Sequence, residues 1–488
     1  MKIRILSLLA LCVTVLFSCT KEEANSTYDA PSVSAPSSVM NVQSGATGLS
    51  VTFNTSVDAD LTATYQATGN GVTIANPTGD VSGNTVTINF DAGNTSGAAS
   101  ITLVVTDSEN QDDEATAVIN VGAEVTEILL TTNVTEDVTW TADRTYILGG
   151  RISVESGATL TIEPGTVIKG QAGTGANATA LLIARGGKLM AEGSADLPIV
   201  FTSIADELTG EDIANGNVAS PNLDPDINGL WGGVIVLGNA PISASNDNGD
   251  VSEVQIEGVP TSDPNGLYGG NDPEDNSGVI KYVSIRHGGS NIGSGNEING
   301  LTLGGVGSGT VVDNIEIVAN QDDGIEWFGG TVNVTNVAVW NVGDDGIDTD
   351  QSWNGTLDNF VVVTPTGHCF ELDGPEGSAK AGHTIQNGSI LASSDDRVSE
   401  DLINVDENSI VSLKNLYFKN VVEGQMINRV TAEGVTFEGI EINVAAENLA
   451  NHVNGEVPAG VTIGSATKAD ISVLSWTWTS KSGVLAEL

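Results

Sequence analysis

Five asparagine-headed tetrads recur down the second half of the chain: Asn314-Ile-Glu-Ile, Asn336-Val-Ala-Val, Asn359-Phe-Val-Val, Asn387-Gly-Ser-Ile and Asn415-Leu-Tyr-Phe, at spacings of 22, 23, 28 and 28 residues. A second track follows ten residues behind the first three, as Gly324-Ile325-Glu326-Trp327, Gly346-Ile347-Asp348-Thr349 and Cys369-Phe370-Glu371-Leu372. Each period therefore holds at least two short strands and their turns. Such a unit has no second layer of its own, so its inward side chains are buried only if the next unit stacks on it about 4.8 Å away. The spacing predicts a solenoid, with the asparagine column bonding amide to amide from rung to rung.

The Asp-Gly-Ile and Asn-x-Ile-x-Ile rungs of 22 residues resemble the right-handed parallel β-helix of the pectate lyase type. Earlier segments fit the same plan. Gly157-Ala-Thr-Leu160 and Gly186-Gly-Lys-Leu189 recur 29 apart, and Pro198-Ile199-Val200-Phe201 is a run familiar from surface β-helices of Bacteroidetes. The expected helix spans 123–488, with a cap near Tyr146-Ile147-Leu148 and Trp476-Thr-Trp478 closing the last rung. Two segments rich in Asp, Asn, Gly and Pro, 204–228 and 240–278, are expected as long loops off one side, where binding sites are commonly built.

Ahead of the repeat, alternating runs such as Leu49-Ser-Val-Thr-Phe53 and Thr85-Val-Thr-Ile-Asn-Phe90 lie between Gly, Asn and Asp turns. Residues 39–122 resemble a bacterial immunoglobulin-like module, and 19–38, rich in Ser, Thr, Pro and Ala, are expected as a flexible stalk. The fold class is all-β: an immunoglobulin-like sandwich, then a β-helix. The 58 glycines and 4 methionines agree with strands and turns rather than helices.

The N-terminus supplies an address. Lys2 and Arg4 precede an apolar run, Ile5 to Phe17, that is too short to span a bilayer and suits a secretory signal over 1–18. Leu16-Phe17-Ser18-Cys19 resembles a bacterial lipobox, and Thr20-Lys21-Glu22-Glu23 resembles the export signal of Bacteroidetes surface lipoproteins. The resemblance implies a lipid on Cys19, anchorage in the outer membrane and exposure at the cell surface. Cys369 would then be the one free thiol of the mature chain, with no disulfide framework.

The 63 acidic and 17 basic residues give a net charge of −46. That excludes a basic surface for nucleic acid or anionic lipid and favours cations.

Within a strand, alternation turns Ile325 inward and Glu326 outward, and the same register turns out Asp348, Asp350, Glu371, Asp373 and, in Ile403-Asn404-Val405-Asp406, Asp406. Carboxylates held about 5 Å apart repel, so the column is a solvated acidic face, a site for a hard divalent cation such as Ca2+, or a cleft with raised pKa values. Just before these strands, Asp322-Asp323-Gly324, Asp344-Asp345-Gly346 and Gly367-His368-Cys369 share one turn. This order resembles the polygalacturonase family of glycoside hydrolases. The resemblance implies Asp344 as general acid, Asp323 and Asp345 as the carboxylates that activate water, and His368 as a supporting residue. Gln321-Asp322, Gly346 and Cys369 depart from the family's motifs, and its basic strand motif is missing.

Trp340 and Trp353 are candidates for stacking on sugars, whereas Trp327 faces the core. Arg286-His287 is expected to form a structural ion pair. The function expected is binding of extracellular polysaccharide, acidic or sulfated, with or without divalent cations. The alternatives are a polysaccharide-degrading hydrolase, less readily a lyase, and an adhesive or structural surface protein.

Overall fold

A computed structural model describes residues 28–122, 127–292 and 298–488. The signal segment and Cys19 lie outside these residues. The chain divides into two compact units, Met1–Val125 and Thr126–Leu488.

In the first unit, a four-stranded and a five-stranded sheet bury their facing sides in one cluster that includes Phe53, Ile88, Phe90, Ile101, Leu103 and Ile119. The strand Thr85–Ala92 alternates exposed and buried along its whole length, which the sequence alternation requires. The segment read as stalk is shorter than expected. Ser32–Ser34 pairs antiparallel with Asn54–Ser56, and the Val33 N–H donates to Asp113 Oδ2 at 2.7 Å, so the chain joins the sheet before residue 39. An edge strand with so few apolar residues leaves little periodic signal.

The second unit is a coil of parallel strands. Long strands Val311–Val318, Val334–Trp340, Thr356–Val363, His383–Leu391 and Val411–Lys419 stack in register, and short strands Ile325–Phe328, Ile347–Asp350, Phe370–Leu372 and Asn404–Val405 form a second sheet. The asparagines explain the long strands. Asn314, Asn336, Asn359, Asn387 and Asn415 all sit at φ between 52° and 58°, the left-handed region that asparagine tolerates best after glycine. Each bends its strand in two, so a rung has three legs where the sequence showed two tracks. Flanking rungs put Tyr282 and Gly439 at the same bend. The Asn359 amide donates to Asn336 Oδ1 at 2.7 Å and Asn415 to Asn387 Oδ1 at 2.6 Å, the expected ladder; Asn336 and Asn387 donate instead to Asp313 and Asp358.

Ile325, Trp327, Ile347, Phe370 and Leu372 all enter one continuous core, so Glu326, Asp348 and Glu371 point away from it as the register required. The coil begins a rung before the expected cap, with Glu127–Leu130 pairing to Thr145–Leu148. The two long loops are not free. Leu208, Ile213 and Val218 pack on the outer face of the long sheet, while Ile242, Ile256, Val259 and Tyr268 cover the outer face of the short one.

Nor do the last tryptophans close the final rung. The C-terminal segment folds back over the flank of the long sheet, where Trp478 meets Trp340 edge-on at 5.7 Å and lies 5.0 Å from the Arg286 guanidinium. Beneath it Arg286 pairs with Glu316 at 3.1 Å, both side chains fully buried. Glu316 Oε1 accepts from the Thr479 N–H at 2.8 Å and its hydroxyl at 2.9 Å, and Arg286 also donates to the Val218 carbonyl. The ion pair expected of Arg286 is therefore the pin that holds the returning segment and the 204–228 loop to the coil.

Candidate functional site

Three successive turns lead from the long sheet into the short one, and they stack Asp322-Asp323, Asp344-Asp345 and Gly367-His368. Gly324 and Gly346 leave the turns room: a Cβ on Gly324 would come 2.5 Å from the Gly346 carbonyl oxygen. Asp323 Oδ1 accepts the Asp345 N–H at 2.9 Å, and Asp345 Oδ1 accepts the His368 N–H. These two aspartates are thus tied to the backbone of the next rung and are buried, at 7% and 3% exposure, whereas Asp344 is exposed. Water-activating carboxylates of the expected hydrolase must face substrate. Asp323 and Asp345 do not.

The short strands add the second column. Glu326, Asp348, Glu371 and Asn404 are direct cross-strand partners, with Thr302 at the near end. Glu326 is buried, at 7% exposure, while Asp348, Asp350, Glu371, Asp373 and Asp406 are half-buried; burial, then Asp323 and Glu257, raises the Glu326 pKa well above the ordinary carboxylate range. Burial and then Asp348 do the same for Asp323, and burial and then Glu326 for Asp348. Asp345 is pushed up to about 10, first by burial and then by its hydrogen bond with Glu371.

Further along the strands, Asp350, Asp373 and Asp406 form a separate row. Burial and Glu376 raise Asp350 to about 7, burial and Asp406 raise Asp373 to about 6, and Asp406 pairs with Arg429 at 3.4 Å.

Two sets of three carboxylates bring one oxygen each within 4.8 Å of the others: Asp322, Asp323 and Asp344, and Asp323, Glu326 and Asp348. Asp323 belongs to both. Among the described residues no ion pair involves Asp323, Glu326 or Asp348. Asn299, missed in the sequence, donates its amide to Glu326. Its Oδ1 and the Asp348 Oδ1 are buried without a partner. Asn299 precedes Leu301, which pairs with Ile325, so the column could have been extended back one rung from that 24-residue step. Asn404 Nδ2 lies 3.1 Å from His368 Nε2, and His368 Nδ1 is buried without a hydrogen-bond partner.

The tryptophan candidates are elsewhere. Trp353 is in the core, stacked on Trp327 at 4.6 Å and donating to the Val332 carbonyl, and Trp340 is covered by the C-terminal segment. Trp353 is closed to a sugar, and Trp340 keeps 8% of its surface exposed, at the edge of a small cavity. Cys369 is buried against Ser399, its thiol pushed up to about 12 by burial, so it is an inert packing residue.

A family model described as the pectate-lyase-like β-helix domain matches residues 132–480, more than half of the chain. The chain belongs to that family. As a pectate-lyase-like β-helix it is similar in fold to a family 28 exopolygalacturonase of Yersinia enterocolitica (12% identity, TM-score 0.20, covering 90% of this chain and 100% of that one). A GH87 α-1,3-glucanase catalytic unit from Streptomyces thermodiastaticus gives 12% identity and a TM-score of 0.31 over 88% and 91% of the two chains. A pectate lyase of Erwinia chrysanthemi, solved with tetragalacturonic acid, gives 9% and 0.14 over 90% and 92%. No curated protein matches the sequence.

Proposed function

We propose that this pectate-lyase-like β-helix is a surface lipoprotein that binds extracellular polysaccharide through a divalent cation, calcium, held by Asp323, Glu326 and Asp348. The supporting observation is the convergence of these three carboxylates within 4.8 Å, without a basic partner among the described residues. Buried like charges so close are stable only when protonated or neutralised by a cation, and a hard cation takes oxygen ligands such as these and the unpartnered oxygens of Asp348 and Asn299. A bound cation offers remaining coordination positions to the carboxylates or sulfates of a glycan. Membership of the pectate-lyase-like β-helix family supports a polysaccharide as the class of partner.

Binding is favoured over hydrolysis because Asp323 and Asp345 serve the backbone and only Asp344 is exposed. We read the two-sheet first unit as an immunoglobulin-like spacer. We read the coil as right-handed, the hand that crossovers between parallel strands take almost without exception.

Millimolar calcium should raise the melting temperature of the protein and Asp348→Asn should remove most of that rise. Calcium should also cause retention on an acidic or sulfated polysaccharide matrix, with no new reducing ends released from pectin or alginate. An unchanged melting curve with calcium and with chelator would overturn the cation site. For the address, Cys19→Ala should move the protein from the membrane fraction to the soluble fraction, and protease added to intact cells should digest the wild type.

A further inference from the structure

Away from the acidic site, three cavities adjoin along the flank where the long strands end. The first, about 130 Å3, lies over Trp340, Asn341 and Thr364; the second, about 580 Å3, over Asp395, Asn420 and Val422; the third, about 740 Å3, over Asn443, Asn448 and His452. The first and second share Ser393, Ser394, Asp396 and Glu487, and the second and third share Val421. Together they follow the coil axis past five rungs, since Trp340, Val363, Leu391, Lys419 and Asn443 follow one another in register.

Five rungs are four steps of about 4.8 Å, roughly 19 Å in all. The groove repeats polar side chains at each step. Thr364 donates to Asn341 at 2.6 Å, Asn341 to Asp226 at 2.6 Å, and Asn420 to the Ser393 carbonyl at 3.2 Å. Val421, Val422 and Val444 put apolar surface between them.

Asn443, Asn448 and Asn451 offer amide donors and acceptors, and Asp395, Asp396, Glu423 and Glu487 offer acceptors. Among the described residues Arg397 is the one Lys or Arg in the lining, held by Asp226 at 3.1 Å and by Thr366, and the neighbouring Lys419 donates to the Glu487 carbonyl. Such a wall repels anions and satisfies hydroxyl groups, which both donate and accept.

We propose that this groove binds a neutral, linear, hydroxyl-rich glycan laid along the coil axis, about one sugar per rung. The site is separate from the carboxylate cluster and needs no calcium, so it stands or falls independently of the cation-dependent reading.

Linear gluco-, manno- and xylo-oligosaccharides from dimer to hexamer, titrated calorimetrically into the full protein in chelator, test the proposal. At least one series should bind, tightening about tenfold from dimer to pentamer, while oligogalacturonates of equal length should not bind. Asp395→Trp and Asn448→Trp fill the second and third cavities at exposed positions. Each should weaken binding at least tenfold without moving the melting temperature. Failure of all neutral series, preference for oligogalacturonate, or unaltered binding by both variants would overturn it. Failure of the calcium site is read separately, from the melting shift.

Discussion

In chelator, the protein should lose stability steadily as pH rises from about 4 to 8, and calcium should abolish most of the loss. Asp323, Glu326, Asp345 and Asp348 all have folded-state pKa values above their unfolded values, with burial the first cause in each. A carboxyl of this kind keeps its proton in the folded protein at a pH where the unfolded chain has released it. Its contribution is intact below the unfolded value near 4 and falls as pH climbs toward the folded value. For Asp345, raised from 3.8 to about 10, the climb to neutral pH covers some three units, which at 1.36 kcal/mol per unit is roughly 4 kcal/mol. Asp350, at about 7, contributes over the lower part of the same range. In the function proposed above calcium takes the place of the protons as compensating charge, so its effect should be largest where the protons are lost.

Thermal melts from pH 4.5 to 8.5, with and without calcium, give the slope directly. Asp345→Asn keeps the acceptor for the His368 N–H and should flatten the chelator slope, which a general repulsion among the surface acids would not allow. A melting temperature independent of pH in chelator would show that the cluster is not compressed as described.

The second large effect belongs to Glu316. Glu316→Ala should destabilise the coil by about 3–5 kcal/mol, because it strands the Arg286 guanidinium in a fully buried site. It also removes the acceptor for both Thr479 donors. The segment after Ala469 should therefore become sensitive to protease at temperatures where the rest of the coil resists. Replacing both partners, Arg286→Met with Glu316→Leu, removes the stranded charge and should recover much of the loss in chemical denaturation. Equal stability of wild type and Glu316→Ala would mean that the ion pair does not hold the flank.

The coil was legible because its inward side chains obey two periods at once, alternation within a strand and 22 or 23 residues between rungs. That double constraint placed Ile325, Trp327, Ile347 and Phe370 in the core and Glu326, Asp348 and Glu371 on the outer face. What covers an outer face obeys neither period. Trp340 read as a free ring because its cover comes from Trp478, 138 positions later in the chain. Glu326 was left open between a solvated face, a cation site and a cleft because Asn299 lies in a rung with a 24-residue step and Glu257 in a loop with no repeat. The bend at each asparagine was hidden for another reason: a column of identical residues fits a ladder of amides whether or not the backbone turns there.

The pin between Glu316 and Thr479 spans 163 residues of chain, and this sets an order in time. Each rung docks on the rung next to it in sequence, so the stack can grow from neighbour to neighbour. The central flank cannot be finished in that way, since Arg286 and Glu316 wait for a segment synthesised after the rungs they belong to. Without that segment Trp340, Arg286 and Glu316 lose their cover. Docking of the segment that carries Trp478 and Thr479 is thus the event that seals this flank of the stack.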